Sequence, residues 1–143
     1  TKDYNGKKFF IGHGDGVGPG DHGYKFIKAV FANRLCRWLF ARLHPNFAFR
    51  IANYWSAKSR AASKELKFLG EDKEYQIIFA KEQLKTAHFD YFIFGHRHIP
   101  NDIALTVNSR YINLGDWITH FTYAVFDGNE LELKKYGINQ NVK

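Results

Sequence analysis

Apolar and polar positions change period several times along the 143-residue chain, and each change marks an element. Lys7 to His13 (KKFFIGH) is a short apolar run that stops at Gly12-His13. It predicts a buried strand that delivers a side chain to its own end. The next stretch, Gly14 to Asp21, holds four glycines in eight residues. That is too many for helix or strand, and it leaves a backbone able to turn tightly or lie close to a ligand. From about 22 to 43, Phe26, Val30, Leu35, Trp38, Leu39 and Leu43 recur at helical spacing, which predicts an amphipathic helix or pair of helices. His44-Pro45 breaks the pattern, and about 46 to 63 predicts a second helix with Phe47, Ile51, Tyr54 and Trp55 as its apolar members. A third helix is expected from about 71 to 85, with Glu71 and Asp72 at its start and Lys81 and Lys85 near its end, as the helix dipole prefers.

Asp90 to His96 (DYFIFGH) repeats the first pattern, an apolar strand running into Gly-His. Strands are then expected at about 103–107, 110–114, 119–126 and 130–136, with Asp127-Gly128 as a hairpin turn. Strand, helical insertion, helix and a run of strands predict an α/β (α+β) chain, a mixed sheet with helices on one face. Residues 1–21 and 65–143 would form the sheet-bearing part and 22–64 the insertion. There is no internal repeat.

Composition adds three points. With 45% hydrophobic and 17% aromatic residues, the chain can bury a packed core. No apolar run is long enough to span a bilayer, and the first residues do not make a signal peptide. The single cysteine, Cys36, excludes an internal disulfide and a Cys-rich zinc site, which favours a cytoplasmic location. There is no methionine, even at position 1, so we expect a further N-terminal part; a small protein that has lost its initiator is the alternative.

Charge matters more for its placement than for its total of +7. Between Asp21 and Glu65 there is no acidic residue, while lysines and arginines contribute nine positive charges, more than the net charge of the whole chain. The remainder is mildly acidic. A local basic excess points to an anionic partner: phosphate, nucleic acid or an anionic membrane surface.

The chemistry-bearing residues are histidines. Gly12-His13-Gly14-Asp15 and Gly95-His96-Arg97-His98 each follow a strand. Neutral imidazole nitrogens suit zinc, manganese or iron, and real sites gather ligands from separated strand ends. The plainer reading makes His96 and His98 ordinary loop residues; a second glycine-preceded histidine on another strand weighs against it.

These motifs, with Tyr111-Ile112-Asn113-Leu114-Gly115-Asp116 downstream, resemble the last part of the calcineurin-like metallophosphoesterase signature. That signature runs Asp-x-His, Gly-Asp-x-x-Asp, Gly-Asn-His-Asp or Glu, a lone His, then Gly-His-x-His. His13 matches the lone His, and His96 and His98 the closing pair; the first three motifs are absent. The closer resemblance is to the UDP-2,3-diacylglucosamine diphosphatases, C-terminal half only. There the lone His opens His-Gly-Asp, an acid and a tyrosine follow at the positions of Asp21 and Tyr24, and a helical lid is inserted. The loop Gly16-Val17-Gly18-Pro19-Gly20 departs from that family's common Leu-Cys-Thr pattern.

The resemblance implies part of a four-layer αββα sandwich with a helical lid. It implies hydrolysis of the pyrophosphate of UDP-2,3-diacylglucosamine to UMP and 2,3-diacylglucosamine 1-phosphate, in lipid A synthesis. Two divalent metal ions, Mn2+ in this branch, are expected, with His13 and His96 on one and His98 on the other. The remaining ligands would come from the N-terminal half, so the segment alone is expected to be inactive. Asp21 and Tyr24 are candidate sugar contacts, although Asp21 also suits a helix N-cap. Ser56, Lys58, Ser59 and Arg60 are candidate contacts to the polar head. The acid-free, aromatic segment suits peripheral contact with the inner membrane, where the substrate lives. No nucleic acid partner is expected. Two alternatives stand: another phosphoesterase of the superfamily acting on nucleotides or phosphodiesters, and a non-enzymatic basic module that binds membrane or nucleic acid.

Overall fold

The computed structural model describes residues 1–19, 22–63 and 67–141, with the backbone alone at residue 24 and at 59–63 and 138–141. The chain divides into two compact units, Thr1–Pro19 with Phe68–Lys143, and Gly20–Lys67.

The first unit opens with a hairpin that periodicity did not reveal. Strands β1 (Lys2–Tyr4) and β2 (Lys7–Ile11) pair antiparallel across Asn5-Gly6. Both turn residues have positive φ, 49° and 76°, the combination that makes Asn-Gly a favoured two-residue hairpin turn. β2 then pairs in parallel with β3 (Tyr91–Phe94), and β3 in parallel with β5 (Ser109–Asn113). β4 (Asn101–Thr106) joins antiparallel to β5, so the five-stranded sheet runs β1-β2-β3-β5-β4.

The central strand β3 is buried at all four positions, as expected of a parallel strand covered on both faces. Its alternating side chains divide the core. Tyr91 and Ile93 pack with Phe9, Ile112, Leu131 and Leu133, and Phe92 and Phe94 pack with Ile77, Ala80 and Tyr111. The first group joins the sheet to a second one, β6 (Thr122–Phe126), β7 (Leu131–Lys135) and β8 (Ile138–Asn141), antiparallel in that order. The other joins it to α4 (Tyr75–Leu84). The fold is mixed α/β with the layers helix, five-stranded sheet, three-stranded sheet. The strands after Phe94 thus divide between two sheets rather than extending one mixed sheet, because Leu131 and Leu133 can be buried only against the Phe9 face.

Several boundaries move for local reasons. α4 starts at Tyr75 and not at Glu71, because residues 71–73 turn before it. β6 starts at Thr122 and not at 119: Asp116 accepts backbone N–H groups from Ile118, Thr119 and His120 and closes a turn there. Burial acts to raise the Asp116 carboxyl, but these bonds and His120 outweigh it and hold the group well below the usual carboxylate range.

In the second unit the expected pair of helices is α1 (His22–Ala32) and α2 (Arg34–Phe40). Asn33 separates them as an N-cap, its Oδ1 accepting from Leu35 N at 2.9 Å and Cys36 N at 3.2 Å. α3 (Pro45–Ser63) begins on proline, which lacks an N–H that the first turn could not use. Phe31 meets Trp55 edge to face at 5.9 Å, and the Arg42 guanidinium lies 4.1 Å from the Trp38 ring centre. Large apolar side chains stay in water here, Phe26 at 70% and Phe49 at 68% exposure, and Trp38 and Trp55 line a groove of about 810 Å³. Among the described residues no helix is long and apolar enough to cross a membrane.

Candidate metal centre

Because β2 and β3 are parallel and paired Ile11 to Ile93, both chains leave the sheet at the same rim. The ladder continues past them: Gly12 N donates to Ile93 O and Gly95 N to His13 O, each at 3.1 Å. The two histidines that follow are therefore placed side by side. Nδ1 of His96 lies 3.3 Å from Nε2 of His13, with the rings inclined at 74°. His96 is held in a tight turn, Arg97 N donating to Gly95 O at 2.7 Å. His96 and His98 both have positive φ, 64° and 55°, an uncommon backbone for any residue other than glycine. Such conformations cost about 1–2 kcal/mol each and persist where the surroundings over-determine them.

The surroundings are a buried polar network. Gln76 on α4 donates from Nε2 to Gly14 O at 3.0 Å and to Gly95 O at 3.1 Å. Its Oε1 accepts from the Tyr111 hydroxyl at 2.7 Å and from Asn113 Nδ2 at 3.0 Å. Asn113 also donates to Gly95 O at 2.8 Å. Burial pushes the Tyr111 phenol up to about 12. Beside this network Arg97 forks onto Glu74, with Nε at 3.0 Å and a terminal nitrogen at 2.8 Å. Burial alone would lower the Arg97 guanidinium, but the Glu74 carboxylate more than offsets it and the net direction is up. Glu74 occupies the N-cap position of α4 without making a side-chain cap, because its carboxylate is spent on Arg97 and on Leu69 N at 3.0 Å.

Two facing imidazole nitrogens 3.3 Å apart fit one transition-metal ion, since each metal–nitrogen bond is about 2.0–2.1 Å. The structure thus brings two of the three predicted ligands, His13 and His96, together. His98 is exposed and does not join them, and among the described residues no group of three His, Cys, Asp or Glu could hold an ion. Of the substrate candidates, Ser56 and Lys58 are exposed on α3. Asp21 lies outside the described residues, as do the side chains of Tyr24, Ser59 and Arg60. Of the supporting residues, Arg97 and Asn113 lie within the motifs that carry the resemblance, without an assigned role, and Glu74 and Gln76 carry no signal in the sequence. Only the glycines at 14 and 95 hinted that another group comes close to these loops.

No protein-family model matches the chain. Among curated proteins it is similar to the UDP-2,3-diacylglucosamine hydrolase of Porphyromonas gingivalis, 36% identical over 94% of this chain and 56% of that protein. Proteins of the same name from Shewanella pealeana and Tolumonas auensis are 28% and 27% identical, over 80% and 94% of this chain. The chain spans about half the length of these relatives, 48% to 56%. The chain is therefore similar to UDP-2,3-diacylglucosamine hydrolases along most of its own length and about half of theirs.

Proposed function

We propose that the chain is part of a metal-dependent hydrolase that cleaves the pyrophosphate of UDP-2,3-diacylglucosamine, giving UMP and 2,3-diacylglucosamine 1-phosphate. The observation that carries this reading is the 3.3 Å approach of His13 and His96 at adjacent parallel strand ends, in a chain similar to proteins of that name. His13 and His96 would hold one divalent ion, Mn2+ in our reading, and His98 would serve a second. The rest of the ligands would come from the half of the relatives' length that the chain does not span. Such ions lower the pKa of water and offset charge developing on phosphate oxygens. The chain's own part is to fix the imidazoles, through the tight turn at His96 and the bonds to Gly14 O and Gly95 O.

The helical unit would meet the lipid. Its exposed aromatics and acid-free, basic sequence suit an acylated, anionic substrate at the cytoplasmic face of the inner membrane, with Ser56 and Lys58 toward the polar head. Failure to sediment with anionic vesicles at low salt would count against this placement.

The deciding experiment is Mn2+-dependent release of UMP from UDP-2,3-diacylglucosamine by the protein at its relatives' full length. Release abolished by His96→Ala supports the reading. No release, with a simple phosphodiester still cleaved, overturns the substrate and leaves the metal chemistry.

A further inference from the structure

The turns that carry His13 and His96 meet on one side chain, Gln76. We propose that Gln76 is a positioning residue that sets the separation at which the two imidazoles act on a divalent ion; the proposal rests on the metal-dependent reading above. Gln76 is fully buried, yet none of its polar capacity is idle. A glutamine amide has two N–H donors and a carbonyl with two lone pairs, and all four are engaged here.

The two accepting carbonyls belong to Gly14, which follows His13, and to Gly95, which precedes His96. A single amide therefore clamps both turns at once. β5 backs the clamp, through Tyr111 and Asn113 on Oε1 and through a second bond from Asn113 to Gly95 O. Gly14 leaves the amide its room, since a Cβ there would fall 2.2 Å from Nε2. An aliphatic side chain here would take this donor away from Gly14 O and Gly95 O. A fully satisfied buried amide instead specifies one arrangement of the groups it joins.

Substitution separates positioning from bulk. Gln76→Met keeps the length and loses every bond. Gln76→Asn keeps the amide but is one methylene too short to reach both carbonyls. Tyr111→Phe removes a bond at the far end and leaves the clamp in place. In the protein at its relatives' full length, Mn2+ binding is measured by calorimetry. In the same protein without metal, the magnetisation transfer between the His13 and His96 rings is measured by nuclear magnetic resonance.

The expected result is Mn2+ affinity lower by about 10- to 100-fold in Gln76→Met and Gln76→Asn, the usual effect of disturbing what orients a ligand. The ring-to-ring signal should be lost in both variants, while Tyr111→Phe should stay close to the parent in both measurements. A folded Gln76 variant that keeps the parent's affinity and ring contact overturns the proposal. So does Tyr111→Phe losing affinity as much as the Gln76 variants, which would mean that general destabilisation is the cause. If the parent itself binds no Mn2+, the metal reading fails separately, and the ring contact alone decides whether Gln76 positions the pair.

Discussion

Arg97 is tied to Glu74 by two near-parallel hydrogen bonds of 3.0 and 2.8 Å, with the two side chains only 12% and 3% exposed. The pair joins the start of α4 to the turn that carries His96 and His98. Removing Arg97 takes the counter-charge from the buried Glu74 carboxylate, at a cost of about 3–5 kcal/mol. Arg97→Ala is therefore expected to destabilise severely in urea unfolding. Arg97→Lys should recover only part of the loss, because an ammonium cannot reproduce the fork. A double variant, Arg97→Ala with Glu74→Gln, should be more stable than Arg97→Ala alone; a double variant less stable than the single would contradict the account.

Gly14 and Gly6 share a left-handed backbone, φ 89° and 76°, but differ in surroundings. A Cβ at Gly6 meets nothing within 4 Å, whereas one at Gly14 falls on the Gln76 amide. Gly6→Ala should cost only the conformational strain, about 1–2 kcal/mol. Gly14→Ala should add the loss of buried hydrogen bonds, for a total of about 3–4 kcal/mol. Equal denaturation midpoints for the two variants would refute the close approach.

Asp116 contributes a pH dependence to stability. Its carboxyl is held below its ordinary value of 3.8 in the fold, so the unfolded chain takes up the proton first as pH falls. The stability it contributes is complete well above that value and is lost progressively as pH falls through it, from about pH 5 downward. Asp116→Ala should destabilise at pH 7 by about 1–2 kcal/mol, the worth of a capped turn, and should flatten the loss between pH 5 and pH 2. Thermal melts of both proteins across that range test this, and parallel curves would reject it.

His13 is exposed and His96 partly so, and neither is in the apolar core. Replacing either by alanine should leave the melting temperature of the metal-free protein nearly unchanged, within the roughly 0.5 kcal/mol typical of surface changes. Each should nevertheless weaken Mn2+ binding by the protein at its relatives' full length more than any other single change in this chain. A His13→Ala protein that binds Mn2+ normally would remove that histidine from the site.

Much of this molecule was determined by local sequence. The apolar runs ending in Gly-His, the helical spacing between 22 and 63, the break at His44-Pro45 and the Asp127-Gly128 turn depend on neighbours within a few residues. They appear as elements close to their predicted bounds. The histidines could be read for the same reason, since a glycine-preceded His at a strand end is a local pattern. The short strands β1 and β8 leave no mark in the pattern because three or four residues are too few to show a period. Whether the later strands form one sheet or two was decided by which face of β3 could bury Leu131 and Leu133, a matter of three-dimensional packing. Tertiary structure alone brought His13 within 3.3 Å of His96 from 83 residues away, and alone gave Gln76, Glu74 and Asn113 their roles. Those three are polar residues in otherwise unremarkable helix and strand patterns. Their meaning lies in partners distant in sequence, and a hydrogen bond leaves no periodic trace along the chain that makes it.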